Sequence, residues 1–134
     1  MANYTIYTSN TGAIAGILSC PVANVEGCYD TTVQGIIEGH IDGEKYYIPL
    51  GIITEKIPFP ILINKTNVIA DDVDKISITK IPLNTNLTIS YSTGYIDYVV
   101  EDTLIDFNTS ISDIYSFTFT NVQYLPLKVL INAN

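Results

Sequence analysis

Catalysis, metal binding and phosphate binding each require particular side chains at particular spacings, and this chain offers few candidates. The only histidine, His40, stands in the turn Gly39-His40-Ile41-Asp42-Gly43. A Ser or Cys nucleophile needs an imidazole held beside it as base. Flanked by glycines, His40 reads as an exposed polar turn residue. Asp71, Asp72 and Asp74 fall in one turn and could offer oxygens to calcium, a hard cation that wants several. That turn lacks the glycine and the distal glutamate of an EF-hand, so a solvated turn is the favoured reading. Asp97, Glu101, Asp102 and Asp106 could supply paired carboxylates for glycoside chemistry. Alternate residues of a strand face solvent, and these acids read as a wet face.

Cys20 and Cys28 are the two cysteines. A disulfide between them is geometrically feasible. Nothing in the sequence implies an oxidising compartment, and two reduced thiols are expected. With one histidine and no tight spacing, a zinc site is not indicated. The chain has no glycine-rich phosphate loop, no CxxC pair and no basic-aromatic stripe. We therefore expect no enzyme activity, no cofactor and no catalytic, cofactor-binding or metal-ligating residue.

Strands must position whatever function exists. The clearest stretch is DIYSFTFTNVQYLPLKVLI, Asp113 onwards. Tyr115, Phe117 and Phe119 share one parity, and Ser116, Thr118 and Thr120 the other. Successive strand side chains point to opposite faces, so one face is apolar and the other rich in hydroxyls. A bend over residues 121–126 precedes a second run with Leu127, Val129 and Ile131 in phase. This pair is the expected final hairpin of a β-sandwich. Tyr115 occupies the place where immunoglobulin-like sandwiches tie a tyrosine hydroxyl back to upstream backbone, two residues before a core position, here Phe117.

Earlier strands are expected over residues 3–8, 13–20, 32–38 and 44–49, with a loop over 21–31. The Ile57-Pro58-Phe59-Pro60 segment marks the boundary, because alternating prolines remove donors and end sheet pairing. Beyond it, strands are expected over 61–69, 75–81, 87–92, 95–100 and 103–107. The prediction is an all-β chain: a small N-terminal β-hairpin domain, 1–57, then an immunoglobulin-like β-sandwich, 58–134.

Composition agrees. The chain has 134 residues, 47% of them hydrophobic, which excludes a disordered protein and supports a packed core. Ile, Val and Tyr suit strands over helices. The net charge is −8 and every basic residue is a lysine. Without a basic stripe, nucleic acid is not an expected partner, and neither is an anionic membrane surface. The opening MANYTIYTSNTG lacks the charged and apolar regions of a secretory signal.

Two stretches carry a resemblance. The first holds Tyr7, Thr11, Gly12 and Ile14, then Glu38, Gly39, His40 and Asp42, then Tyr46, Tyr47 and Ile48. It is similar to the short N-terminal β-domains of tailed-bacteriophage tail and tail-fibre accessory proteins. The second holds Ala70, Asp71, Asp74, Ile81, Pro82, Tyr115, Tyr124, Leu125 and Pro126. It resembles the immunoglobulin-like C-terminal half of the same small virion proteins. Asp72, Asn84 or Thr85, and Asp113 stand where that pattern has glycine; Asn and Asp tolerate positive φ better than other side chains.

The resemblance implies a non-enzymatic virion structural protein, a tail or tail-fibre adaptor made and assembled in the host cytoplasm. Its partners would be other virion proteins, with homo-oligomers within the particle. Alternatives are a head-decoration protein of the capsid and a host-surface or glycan-binding module. The N-terminal domain would be the docking part, through the apolar set Tyr4, Ile6, Ile14, Ile17 and Leu18. A unit of under about sixty residues buries little surface by itself, so a covering partner is physically sensible.

Overall fold

The computed structural model describes residues 2–20 and 27–134. Residues 21–26, most of the loop expected over 21–31, lie outside that description. The chain is all-β, with several sheets and no α-helix among the described residues. It divides into two compact units, Met1–Ile57 and Pro58–Asn134.

In the first unit, β1 (Ala2–Thr8) is the middle strand of a three-stranded sheet. It pairs antiparallel with β2 (Ile14–Cys20) on one side and β3 (Gln34–Glu38) on the other. The β1–β2 register shifts between Ile6 and Tyr7, leaving Ala15 as an extra residue. Such a bulge bends the strand and increases its twist. The hairpin turn depends on Gly12, at φ 79°. A Cβ there would lie 2.6 Å from the carbonyl carbon of Ile48, and Gly12 accepts the Ile48 N–H at 2.7 Å. Thr5 is fully buried in the central strand. Its hydroxyl donates to Gly39 O at 2.8 Å and accepts the Ile41 N–H at 2.9 Å. Both roles of that hydroxyl are filled, which removes the cost of burying it.

The expected strand over 44–49 is shorter: β4 (Tyr46–Tyr47) pairs with β5 (Thr54–Glu55). Ile48 then goes into the core and Pro49–Gly51 forms a single tight turn. Cys20 and Cys28 are joined by a disulfide, which overturns the expected reduced pair. The expectation rested on compartment alone. The fold brings the chain back beside the buried end of β2, and Cys20 is 1% exposed.

The second unit has two sheets, consistent with a β-sandwich. The larger has the order β10-β9-β12-β13-β7. Its members are β7 (Asn67–Val68), β9 (Thr85–Tyr91), β10 (Gly94–Val100), β12 (Asp113–Asn121) and β13 (Tyr124–Ala133). The smaller has the order β11-β8-β6, from β6 (Leu62–Ile63), β8 (Ile76–Thr79) and β11 (Ile105–Phe107). Ile76 and Ile78 of the small sheet share one buried cluster with Leu87, Phe117, Phe119 and Ile131 of the large one. Phe107 meets Phe117 edge-on at 5.0 Å, an aromatic contact between the sheets.

The alternation read over β12 holds: Tyr115, Phe117 and Phe119 are buried, while the positions between them are not. The expected bend over 121–126 contracts to the two residues between Asn121 and Tyr124. Pro126 instead lies within β13, where the register shifts between Phe119 and Asn121. A bulge is one of the few sheet positions that tolerates a residue without an N–H.

The strand expected over 61–69 is two strands in different sheets: β6 pairs with β8, and β7 runs parallel to β13. Asn64 breaks the run by capping the Ser77 N–H at 2.9 Å. Beside it, Lys65 turns its ammonium onto the Asp74 carboxylate. Two of the positions where an acid or amide replaces glycine adopt the left-handed backbone: Asp72 at φ 64° and Asn84 at φ 62°.

Candidate functional site

The structure disperses the candidate chemical groups. His40 is exposed in the turn after β3. Asp71 does not face outward as an open ligand; its Oδ1 accepts the N–H groups of Val73 at 2.9 Å and Asp74 at 2.8 Å. Those backbone donors hold its carboxyl below the usual range. Asp74 is lowered by the Lys65 ammonium and by the Ile69 N–H that donates to it at 2.9 Å. Asp72 contributes its backbone, donating to Thr109 O at 3.0 Å. The three aspartates thus stitch the turn together. Among the described residues no group of three or more His, Cys, Asp or Glu side chains is arranged to hold a metal ion.

The second acidic set is split as well. Asp97 lies on β10 and accepts the Thr88 hydroxyl across the ladder. Asp106 lies on β11, in the other sheet, where it accepts from Ser77 Oγ at 2.8 Å and pairs with Lys75 Nζ at 3.6 Å. Glu101 and Asp102 are exposed in the connection between β10 and β11. Asp97 and Asp106 belong to separate sheets, and each accepts one hydroxyl, from Thr88 and Ser77 respectively.

Tyr115 takes the tying role read from the sequence. Its hydroxyl donates to Ile111 O at 2.9 Å and lies 2.9 Å from Thr109 Oγ1. The ring is 6% exposed and packs against Tyr91 and Phe107. The role is architectural: it pins the loop before β12.

Exposed apolar surface is what remains. In the first unit, Tyr4 is buried and Ile6, Ile14 and Leu18 are half-buried; of the expected docking set only Ile17 is exposed. Phase explains this, because Ile14 and Leu18 share the inward parity of β2 with Cys20 and Ile17 does not. The most exposed apolar side chains are instead Leu50, in the turn after β4, and Ile52 just beyond it, with Ile57, Val33 and Ile53 exposed as well. Leu50 is 92% exposed and adopts φ 53°, ψ 31°. Gly51 follows at φ 79°, and the Ile52 N–H closes the turn onto Pro49 O at 3.0 Å.

Two successive left-handed residues make a turn of the kind that favours Asn and Gly. A leucine there costs roughly 1–2 kcal/mol in backbone strain. It recovers none of that by burial. The sequence does not mark Leu50, because a Pro-Leu-Gly run carries no signal of left-handed backbone at leucine. No protein-family model, curated protein or solved structure matches the chain.

Proposed function

We propose that this protein is a non-enzymatic structural component of a virion, a tail or tail-fibre adaptor acting through protein–protein assembly. The unit Met1–Ile57 is its docking part. The observation that carries the docking role is Leu50. An apolar side chain is held at 92% exposure on a backbone conformation that disfavours it. Strain of this kind persists where a function uses it. Leu50, Ile52 and Ile53 together offer an apolar tip that a partner pocket could cover. The virion assignment rests on the resemblance of the turn and strand motifs around Gly12, His40 and Tyr115 to those of small phage tail proteins. The Cys20–Cys28 bond is compatible with it, since disulfides persist on virion surfaces.

The test is Leu50→Asn in the full-length protein. Asparagine accepts the left-handed backbone and lacks the apolar side chain. The variant should be more stable by about 1 kcal/mol and should fail to join particles. A Leu50→Asn protein that joins particles at the normal copy number would remove the tip from the docking role.

A further inference from the structure

The second unit carries a different unpartnered feature, β10. It is the outermost strand of the five-stranded sheet, and its ladder with β9 runs unbroken from Gly94↔Tyr91 to Val100↔Thr85. No strand pairs with its other side among the described residues. In an antiparallel ladder an edge strand turns alternate N–H and C=O groups outward, so β10 presents a row of them.

The side chains of β10 are open on both faces. Ile96 and Tyr98 lie directly across from Ile89 and Leu87, which are core residues. Opposed residues share a face, so Ile96 and Tyr98 point to the core side. Yet Ile96 is 52% and Tyr98 38% exposed, and only Val100 at the strand's end is buried. The core-side face of β10 therefore overhangs uncovered. On the outer face, exposed Tyr95 and Val99 flank Asp97. A hollow of about 460 Å³ lies along this edge, lined by Asn86, Leu87, Asp97, Tyr98 and Val99.

Proteins ordinarily blunt such an edge with charged side chains, above all lysine, or with proline, a bulge or a very short strand. Here the strand has seven residues, no proline, no lysine and no register shift. Its one charge is Asp97. A second copy fits poorly. Antiparallel pairing with full overlap sets Asp97 against the same aspartate, and like charges directly opposite are destabilising. Each copy also brings a net charge of −8.

We infer that β10 is a docking edge for an extended segment of another protein with an apolar–basic–apolar centre. The segment adds a strand antiparallel to β10. Its backbone takes up the outward N–H and C=O groups, its central lysine or arginine meets Asp97, and the apolar neighbours cover Ile96 and Tyr98. This rests on the edge geometry and the Asp97 charge, and is independent of the virion reading and of Leu50.

The probe is a capped, labelled heptapeptide of alternating valine and threonine with lysine at its centre, titrated into full-length protein at low salt. A peptide with glutamate at the centre is the comparison. The lysine peptide should bind at least tenfold tighter than the glutamate peptide. Asp97→Lys, a change at an exposed position, should reverse that preference. Equal binding of the two peptides, binding of neither, or a preference that Asp97→Lys leaves unchanged would overturn the proposal. So would a dimer in sedimentation that the lysine peptide cannot dissociate, because a second copy would then own the edge.

Discussion

The Tyr115 hydroxyl donates to the carbonyl of Ile111, four residues upstream, at 2.9 Å. Thr109 completes the arrangement: its Oγ1 accepts the Ile111 N–H at 3.1 Å and reaches the same tyrosine oxygen. Two side chains thereby fix the loop that delivers the chain into β12, the strand that supplies Phe117 and Phe119 to the core. Tyr115→Phe keeps the ring and removes the donor. It should cost about 0.5–1.5 kcal/mol, the net worth of one intramolecular bond. Phe117→Ala opens a cavity in a fully buried site and should cost about 3–5 kcal/mol. Denaturant titration of both variants reads the difference. Equal, small losses would mean that β12 is not the core strand.

Gly12→Ala should be severe for its size. The new methyl meets Ile48 backbone at 2.6 Å, and the residue must keep φ 79°. Strain from the left-handed backbone alone is roughly 1–2 kcal/mol, and the close contact adds to it. Thermal melting of the variant checks this; a loss below about 0.5 kcal/mol, the range of ordinary surface changes, would contradict the described turn.

The Cys20–Cys28 bond closes a short loop at the end of β2. Chain-entropy arguments give such a crosslink about 2–3 kcal/mol. Reductant, or Cys20→Ser with Cys28→Ser, should speed amide hydrogen exchange in β1 and β2 correspondingly. Mass spectrometry after alkylation without reductant should show no modified cysteine.

Acid should weaken the second unit through specific turns. Asp113 is held below the ordinary 3.8 by the Ser92 hydroxyl, then by the N–H groups of Ser92 and Ile114. Asp71 and Asp74 are lowered by their own donors. A carboxyl whose folded pKa is depressed binds its proton more readily in the unfolded chain. Its stabilisation is therefore complete above the unfolded value and disappears as pH falls through the folded one. Stability should be flat near neutrality and decline below about pH 4. Asp113→Asn should make that decline shallower, as read by urea titrations across the acid range.

Much of this fold is legible in the residues themselves. Phe117 and Phe119 announce a buried face by parity, and Tyr115 announces its own tie. Asp72 and Asn84 fill positions of positive φ that their side chains tolerate. Other features depend on partners distant in sequence. The run through Leu62 and Val68 reads as one strand, and only the choice of β8 or β13 as neighbour splits it between sheets. The burial of Thr5 has no local signal, because Gly39 and Ile41, distant in sequence, supply the partners of its hydroxyl. Tyr95 to Val100 read as a strand, but nothing local says that it has no outer neighbour among the described residues. Leu50 carries no mark in the sequence, because the strain lies in its backbone.

We propose that this protein works by assembly within a virion. The direct measurement is its place in intact particles purified from lysed host cells, read by cryo-electron microscopy and by quantitative mass spectrometry of the same preparation. The expected result is a fixed copy number on the tail, with the unit Met1–Ile57 against its neighbour and the turn at Leu50 in the contact. Absence from purified particles, with all of the protein left in the soluble fraction, would contradict it.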